Sequence, residues 1–462
     1  MVQTVAYKIT GGKPVKGEIT CLGAKNFATK AMVASCLTEG VTRLTNAPRI
    51  DDVEITAELL RSIGVKVEWI SETELEIDPS DMNTSKVKTP DSRNNRIPIL
   101  LIPILLHRFA KASVPSMGGC DIGERKVDFH TTAAEQFGAK VICDMSGYKA
   151  TVENRLQGTH FDLEYPSVGA TETCLFLSVL AEGTSVITNA AIEPEIIELI
   201  TMLRSMGAII FSEPNREIRI EGVETLHGTV MQILGDRIEA ASWASLACAS
   251  DGDITVNGIK ANTLGNYLSY FQQVGGGYEF LGPESIRFFK ASSLKPTMIE
   301  TDVYPGFSTD WQQPFAILLT QADGMSAVHE TVYESRFGYM KTLNKLGAKT
   351  QLTTQCLGKK CRFADHNHRH SALIMGKTPL KAIEEPIQIP DLRAGLAYVI
   401  AAAIADGTTL LTGVELLERG YGDICTRLQG ISLEVERVKL GKKDVENWFS
   451  KVVHLKSHRL VS

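Results

Sequence analysis

The chain has 462 residues, of which 44% are hydrophobic and 22% charged, and its formal net charge is −6. One hydrophobic core seldom organises a chain of this length, so we expect a globular protein of two domains. The acidic balance argues against a nucleic-acid backbone as the main partner, although a few arginines could still bind a phosphate locally. The most apolar stretch, residues 97–106, is too short to span a bilayer and contains two prolines.

The first residues of the chain and the distribution of its cysteines indicate the cellular compartment of the protein. Residues 1–9 lack the basic and apolar regions of a signal peptide. The nine cysteines are scattered, with neither a CxxC pair nor the Cys/His spacing of a zinc site, which suits reduced thiols. We therefore expect a soluble cytoplasmic protein that binds neither nucleic acid nor membrane.

A strand is predicted at residues 5–9, and after it one pattern of elements recurs about every 70 residues. Each copy reads as helix, glycine stop, short β-rich run, second helix, second glycine stop and strand. In the plainest copy the two stops are Gly183 and Gly207. The second stops of the six copies are Gly64, Gly138, Gly207, Gly275, Gly347 and Gly430.

Six copies divide most simply into two α/β domains of three units each. Because the opening strand stands outside the repeat, we expect it to pair with the second domain, so that the chain crosses between domains twice. The predicted domains are residues 25–234, and residues 1–24 together with 235–462. No low-complexity linker marks either crossing, which favours a hinged pair with a cleft between the two domains.

Three polar residues of the first half stand just before apolar helices. Lys25 and Arg96 each precede one, where a cation opposes the helix dipole unless a bound anion accompanies it. Ser167 precedes a third such helix, where its hydroxyl can cap the helix and still face a ligand. An ordinary surface or capping role remains the alternative for each.

The stretch from Ser116 to Asp128 is rich in glycine and is predicted to be a loop. Cys120 lies at its centre, and Arg125 and Lys126 follow closely. A thiol beside cations tends toward the thiolate, so this cysteine is a candidate reactive group. An inert, half-buried thiol is the alternative.

In the second half, Asp310 is predicted in the first turn of a helix, where a carboxylate is favoured and a general base would be well held. Arginines at element boundaries could form, with Lys25 and Arg125, a cationic pocket for phosphate and carboxylate groups. These arginines are Arg336, Arg393 and Arg419. Each of them alone could equally be a surface residue.

Residues 365–370 contain three histidines and suggest a metal site. Neighbouring polar residues in an exposed turn explain the run at least as well, and no cysteine or carboxylate frame surrounds it in the sequence. We therefore expect no metal there.

Several motifs, in this order and spacing, resemble the UDP-N-acetylglucosamine 1-carboxyvinyltransferase family of enolpyruvyl transferases. The resemblance extends from the region of Gly11 to about Val438. It rests on Gly23-Ala24-Lys25-Asn26, Gly118-Gly119-Cys120-Asp121-Ile122-Gly123, Arg125 with Val127-Asp128, Pro166-Ser167-Val168-Gly169-Ala170-Thr171, Asp236-Arg237-Ile238-Glu239, Thr309-Asp310, Asp391-Leu392-Arg393-Ala394 and Arg419-Gly420-Tyr421.

The resemblance implies two inside-out α/β barrels, each of three similar units with the helices inside. It implies transfer of enolpyruvyl from phosphoenolpyruvate to the 3′-hydroxyl of UDP-N-acetylglucosamine, the first committed step of peptidoglycan synthesis, with no metal or other cofactor. Cys120 would be the acid and Asp310 the base, while Lys25, Arg125 and Arg419 would hold phosphoenolpyruvate with support from Arg393. The nucleotide-sugar site would be lined by Asn26, Arg96, Arg125, Lys126, Val127, Asp128, Phe129, Ser167, Val168, Asp310 and Val332.

Two other functions stay open at this point. One is enolpyruvyl transfer to a different acceptor, such as shikimate phosphate, and the other is a catalytically silent protein that binds nucleotide-sugar. Tyr165 and Glu418 depart from the family pattern, where a lysine against the nucleotide and an aspartate are usual. Phosphate release from the two expected substrates separates the three functions, and the sequence does not predict an oligomeric state.

Overall fold

The computed structural model describes residues 4–90, 95–116 and 127–441. Contacts divide these residues into two units. Unit 1 contains residues 4–21 and 236–441, and unit 2 contains residues 22–90, 95–116 and 127–235. None of the helices in these ranges combines the length and the hydropathy that a membrane span requires.

Strands and short helices alternate along both units, so the fold is α/β, as predicted. The strands are β1 (Thr4–Gly11), β2 (Lys16–Thr20), β3 (Thr42–Thr45), β4 (Lys66–Trp69), β5 (Leu75–Asp78), β6 (Lys111–Val114), β7 (Lys140–Asp144), β8 (Gly147–Thr151), β9 (His160–Asp162), β10 (Thr184–Thr188), β11 (Ile209–Ser212), β12 (Ile218–Glu221), β13 (Val230–Gln232), β14 (Asp253–Asn257), β15 (Gly276–Gly282), β16 (Ser285–Lys290), β17 (Met298–Glu300), β18 (Gly324–His329), β19 (Lys349–Thr353), β20 (Ser371–Gly376), β21 (Ile387–Gln388), β22 (Gly407–Thr412) and β23 (Glu434–Leu440). The helices are α1 (Lys25–Ala34), α2 (Asp51–Arg61), α3 (Leu101–Phe109), α4 (Asp128–Gln136), α5 (Val168–Ser178), α6 (Pro194–Ser205), α7 (Arg237–Ala249), α8 (Asn266–Gln273), α9 (Gln312–Leu319), α10 (Met340–Lys345), α11 (Leu392–Ile404), α12 (Glu415–Tyr421) and α13 (Ile424–Gly430).

Unit 1 contains three four-stranded sheets among its described residues, in the orders β21-β22-β1-β23, β15-β16-β14-β2 and β17-β18-β20-β19. Strand β1 pairs antiparallel with both β22 and β23. Helices α7, α9 and α11 pack against one another and are buried along nearly their whole length. Their sequences are apolar on almost every face, which suits helices that lie inside rather than on a surface.

Unit 2 contains two four-stranded sheets, β11-β12-β10-β9 and β13-β3-β5-β4, and the three-stranded sheet β6-β8-β7 among its described residues. Helix α5 is almost entirely buried and packs on α3, α4 and α6. In the described ranges of both units the sheets stay separate, and none of them closes into a barrel.

Helices end at or just before all six of the predicted second glycine stops. Gly64, Gly138, Gly207, Gly275 and Gly347 have φ between 95° and 106°, a region in which a side chain is strained. The prediction for Gly430 is correct for the helix end, since α13 ends at Gly430, but Ser432 takes the positive φ there, at 61°, that a glycine takes at the other five stops. The amide of Leu433 then donates to the carbonyl of Leu428 just beyond the helix.

Gly11 of β1 lies against the end of α11, and its lack of a side chain permits that approach. A Cβ at this position would lie 2.0 Å from the carbonyl oxygen of Ala402 and 2.5 Å from that of Ala405. We expect Gly11→Ala to lower the free energy of unfolding by about 3 kcal/mol, measured by urea denaturation. Gly282→Ala is the matched control, because a Cβ there meets nothing within 4 Å, and it should change stability by no more than about 0.5 kcal/mol. Equal losses in the two variants would contradict the packing argument.

Candidate active site

Asp310 lies in a short 3-10 turn, Thr309–Trp311, that leads directly into α9. The hydroxyl of Ser308 caps this turn by accepting the amide N–H of Asp310 at 3.4 Å. The indole of Trp311 is fully buried and donates to the carbonyl oxygen of Arg237 at 3.3 Å. The buried Trp311 side chain therefore anchors the turn in the core, while the Asp310 side chain stays 21% exposed.

The carboxylate of Asp310 lies between two arginines. Arg336 donates to Oδ1 through Nη2, and Arg393 approaches Oδ2 with its Nε at 3.4 Å. Arg393 also donates from Nη1 to the hydroxyl of Tyr421 at 2.8 Å. Burial opposes the charge on Arg393, but Tyr421 and Asp310 raise its pKa above the ordinary value, so the guanidinium stays charged.

Arg336 is almost completely buried beside Asp310. Burial opposes its charge too, but Asp310 and Glu330 raise the pKa of Arg336 above its ordinary value. Its Nε–H has no hydrogen-bond partner within the described ranges. A buried N–H donor of this kind can serve an anionic ligand.

Glu330 organises the segment around Asp310, and the sequence alone did not single it out. It is fully buried and accepts hydrogen bonds from Thr309 at 2.9 Å and from Gln312 at 2.8 Å. It also accepts the amide of Val332 at 2.8 Å. One carboxylate thus fixes the turn that carries Asp310 and places the predicted ligand residue Val332.

Arg419 lies on α12, two residues before Tyr421, and is half-buried. Its neighbour Glu418, one of the two departures from the family pattern, accepts hydrogen bonds from the hydroxyl of Tyr7 at 2.7 Å and from Nε of Arg437 at 2.9 Å. Glu418 therefore ties α12 to β1 and β23.

In unit 2, Lys25 is the first residue of α1, and its ammonium group lies 2.7 Å from the carboxylate of Asp52. The Lys25 side chain is 20% exposed and that of Asp52 is 7% exposed. Because Asp52 already supplies a negative charge, the position of Lys25 at the start of a helix does not by itself require a bound anion. Asn26 follows on the same helix and is half-buried.

Ser167 caps α5, as predicted, by accepting the amide N–H of Ala170 at 3.3 Å. Beside this helix start lies His130 of α4, whose Nδ1 is 2.6 Å from the hydroxyl of Thr173. Gly169 makes room for the imidazole, since a Cβ there would be 3.1 Å from its Cε1. Arg96 is close enough to His130 to influence its charge.

Burial, and after it the charge of Arg96, lowers the pKa of His130 from 6.5 to about 4. The unfolded chain therefore binds this proton more readily than the folded protein, so stability is lost as the pH falls from 6.5 toward 4. The free energy of unfolding, measured at pH 7 and at pH 4.5, should fall between these two values by about 2 kcal/mol less in His130→Asn than in the parent protein. The asparagine keeps a polar atom near Thr173. At pH 8 the imidazole is neutral in both the folded and the unfolded parent protein. The difference in free energy of unfolding between the parent and His130→Asn at that pH therefore measures the loss of packing alone. Parallel pH profiles for the two proteins would contradict this prediction.

The predicted residues fall into both units and partly outside the described residues. Asp310, Val332, Arg393 and Arg419 belong to unit 1, and Asp310 and Arg393 are in contact there. Cys120, Arg125 and Lys126 lie outside the described residues. The remaining predicted residues belong to unit 2: Lys25, Asn26, Arg96, Val127, Asp128, Phe129, Ser167 and Val168.

The interpretation that no cysteine frame surrounds the histidine-rich segment is wrong for His370. His366 and His368 are exposed, but His370 is fully buried, and its Nε2 lies 3.3 Å from the sulfur of Cys356. The two cysteines of this frame, Cys356 and Cys361, stand 14 and 9 residues before His370, where the sequence could have revealed them, whereas His329 comes from a distant strand.

Comparison with known proteins defines the class first. The sequence profile of the family described as EPSP synthase (3-phosphoshikimate 1-carboxyvinyltransferase) matches residues 9–428. The enolpyruvyl transferase NikO from Streptomyces tendae has the same fold, with a TM-score of 0.82 at 20% identity, covering 95% of this chain and 100% of that one. An EPSP synthase from Acinetobacter baumannii gives a TM-score of 0.70 at 20% identity, covering 94% and 100%. The fold is that of the enolpyruvyl, or carboxyvinyl, transferases.

Closer relatives define the family. The UDP-N-acetylglucosamine 1-carboxyvinyltransferase of Protochlamydia amoebophila is 45% identical over 440 residues, 94% of each chain. Proteins of the same name from Chlamydia abortus and Bacillus cereus are 43% and 35% identical, covering 94% and 95% of this chain and 98% of each of theirs. The chain belongs to the UDP-N-acetylglucosamine 1-carboxyvinyltransferase family, which confirms the resemblance noted in the sequence.

Proposed function

We propose that this transferase moves the enolpyruvyl group of phosphoenolpyruvate to the 3′-hydroxyl of UDP-N-acetylglucosamine and releases phosphate, as the first committed step of peptidoglycan synthesis. The observation that carries the proposal is the 45% identity to a relative of that name over 94% of both chains. The contact between Asp310 and Arg393 adds a carboxylate held beside fixed cations, which suits this chemistry.

The proposed reaction is an addition followed by an elimination. Asp310 takes the proton of the sugar 3′-hydroxyl, and the oxygen bonds to C2 of phosphoenolpyruvate while Cys120 delivers a proton to the methylene carbon C3. The tetrahedral intermediate then gives a proton from C3 back to the Cys120 thiolate, and the bond between C2 and the phosphate oxygen breaks, which restores the double bond and releases phosphate. No metal or other cofactor takes part in these steps.

Cationic side chains would bind the phosphate and carboxylate groups of phosphoenolpyruvate. Lys25, Arg125 and Arg419 are assigned to that substrate, and Arg393 supports them. A guanidinium that already binds Asp310 and Tyr421 is fixed in orientation, so it can stabilise developing charge without rearranging. The nucleotide-sugar is assigned to Asn26, Arg96, Arg125, Lys126, Val127, Asp128, Phe129, Ser167, Val168, Asp310 and Val332.

The proposal includes the finer architecture. Each unit would consist of three similar repeats with the helices inside and separate sheets in place of the expected barrel, and the domains would be residues 25–234, and residues 1–24 with 235–462. The three sheets of each unit and the buried helices α5, α7, α9 and α11 support this. A cytoplasmic location is proposed as well, because a reactive thiol such as Cys120 persists in a reducing compartment.

Phosphate release measured with both substrates tests the function directly. The proposal predicts multiple turnovers when phosphoenolpyruvate and UDP-N-acetylglucosamine are both present, and none when either is omitted. Release only with another acceptor, such as shikimate phosphate, would replace the proposed acceptor. Nucleotide-sugar binding by calorimetry without any phosphate release would show a silent binding protein instead.

Cys120→Ser tests the proposed acid. A hydroxyl gives up its proton far less readily than a thiol, so we expect kcat to fall at least about 100-fold. Alkylation by an epoxide such as fosfomycin, followed by mass spectrometry, should disappear in the same variant. Cys143→Ser removes an exposed free thiol and serves as the control with both properties retained. Normal turnover in Cys120→Ser would remove the thiol from the chemistry.

A further inference from the structure

Four side chains of unit 1, outside the proposed active site, meet at one point. They are His329 at the end of β18, Cys356 and Cys361 in the loop after β19, and His370 just before β20. One potential ligand atom from each lies within 4.8 Å of all the others. The two sulfur atoms are 3.7 Å apart, and the sulfur of Cys356 is 3.3 Å from Nε2 of His370.

These spacings fit a tetrahedral ion. Bonds of about 2.3 Å to sulfur and about 2.1 Å to nitrogen place two sulfur ligands about 3.8 Å apart, and sulfur and nitrogen about 3.6 Å apart. The distances observed between the ligand atoms are close to those edges before any ion draws them together. Two thiolates and two imidazoles are also a ligand set that zinc prefers.

The imidazoles already have the orientation that a metal requires. Nδ1 of His370 donates to the carbonyl oxygen of His368 at 2.9 Å, and Nδ1 of His329 donates to Oε2 of Glu300 at 3.0 Å. Since a carbonyl and a carboxylate only accept, both rings carry their hydrogen on Nδ1 and leave the Nε2 lone pair available. A carboxylate behind a histidine is a common second layer around zinc.

The Nε2 atom of His329 is the most direct indication that these residues bind a ligand. The residue is fully buried, and this nitrogen has no hydrogen-bond partner within the described ranges. Leaving a buried acceptor without a partner is energetically costly, so native proteins seldom keep one. An ion bound to this atom would remove that cost.

The backbone of the loop that carries the two cysteines passes close to His329 and Glu300. A Cβ on Gly358 would lie 1.7 Å from Oε2 of Glu300 and 2.6 Å from Nδ1 of His329, so only glycine allows the loop to pass. The amide of Lys359 donates to the same Glu300 oxygen at 2.7 Å, and the amide of Phe363 donates to the sulfur of Cys361 at 3.4 Å. The N–H of Phe363 would stabilise a metal-bound thiolate at Cys361, and that of Lys359 fixes the carboxylate behind His329.

We propose that His329, Cys356, Cys361 and His370 bind one zinc ion in a closed tetrahedral site. Both thiols would release their protons to solvent on binding. Because four protein ligands fill the coordination sphere, the ion would be structural and not catalytic. All four ligands belong to unit 1, and the zinc site is independent of the proposed reaction.

The site would brace the segment that carries Val332. The amide of Glu330, next to His329, donates to the carbonyl oxygen of His370 at 2.7 Å. Arg362, next to Cys361, donates to the carbonyl oxygen of Val332. Removing the ion would therefore loosen the loop between β19 and β20 first and the Val332 segment second.

Metal analysis of the full chain, purified without nickel or chelator, tests the proposal. We expect about one zinc per chain and, after chelation, a fall in the unfolding midpoint of at least about 5 °C that added zinc reverses. Cobalt added to the chelated protein should give the thiolate charge-transfer band and the intense visible bands of a tetrahedral site. Less than a tenth of a zinc per chain, together with a cobalt spectrum lacking the thiolate band, would overturn the proposal.

Variants identify the ligands. Cys356→Ser and Cys361→Ser should each weaken zinc binding at least about 100-fold, and Glu300→Gln about 10-fold through the orientation of His329. His366→Ala is the matched control, since this exposed histidine of the same loop should retain full zinc content. If the cysteine variants fail to fold, the cobalt spectrum of the unsubstituted chain decides the matter. Equal zinc loss in the control, or a Cys356–Cys361 disulfide in the isolated protein, would refute the site.

Discussion

Replacing Asp310 with asparagine is expected to lower kcat by a factor of about 100 to 10,000. The amide keeps the size of the side chain and an oxygen that can accept from Arg336, so the turn before α9 should be retained. What the amide cannot do is take the proton of the attacking hydroxyl. Steady-state phosphate release at saturating concentrations of both substrates measures the effect.

Asp302→Asn is the matched control for this prediction, because Asp302 is an exposed aspartate in the same loop. It should keep kcat within about twofold of the parent. Since Asp310→Asn also leaves the buried Arg336 less compensated, its unfolding midpoint must be measured alongside. A stable Asp310→Asn variant with parental kcat would exclude Asp310 as the base, whereas loss of the acidic limb of the pH–rate profile would support it.

Features set by neighbouring residues were predictable from the sequence. The cap at Ser167 and the helix stops at Gly64 and Gly207 depend on contacts within a few residues, and the structure has them where the sequence placed them. At the sixth stop α13 ends at Gly430 as predicted, but a serine at position 432 adopts the positive φ that glycine was expected to supply. Local propensity indicates where a helix can end but does not decide which residue takes the left-handed conformation.

Features set by distant residues were not predictable. Asp52 is 27 positions from Lys25, and nothing in the local sequence of either residue announces their ion pair. The same holds for Glu330, whose role emerges only when β18 brings it beside the Asp310 turn. A search of the sequence for acidic residues directly after apolar strands could have marked Glu330 as a candidate. A carboxylate buried at such a position must find hydrogen-bond donors.

Arg393→Lys is expected to lower kcat/KM for phosphoenolpyruvate about 100-fold, or about 3 kcal/mol of transition-state stabilisation. Arg393 is held at the start of α11 by the Asp391 cap, which accepts its amide at 2.9 Å. From there its guanidinium reaches Asp310 with Nε and Tyr421 with Nη1. A lysine keeps the charge but presents a single ammonium, so it cannot hold both partners and face an anion in a fixed direction.

The control for Arg393→Lys is Arg437→Lys, in which the exposed guanidinium pairs with Glu418 at the surface. Charge is conserved in both substitutions, so any difference between them measures the geometry of the guanidinium. Varying phosphoenolpyruvate at saturating nucleotide-sugar isolates the effect, and we expect the control to stay within about twofold because surface ion pairs contribute little. If kcat/KM of Arg393→Lys also stayed within about twofold of the parent, positive charge alone would suffice at this position. The orientation of the guanidinium by Asp310 and Tyr421 would then contribute nothing to catalysis.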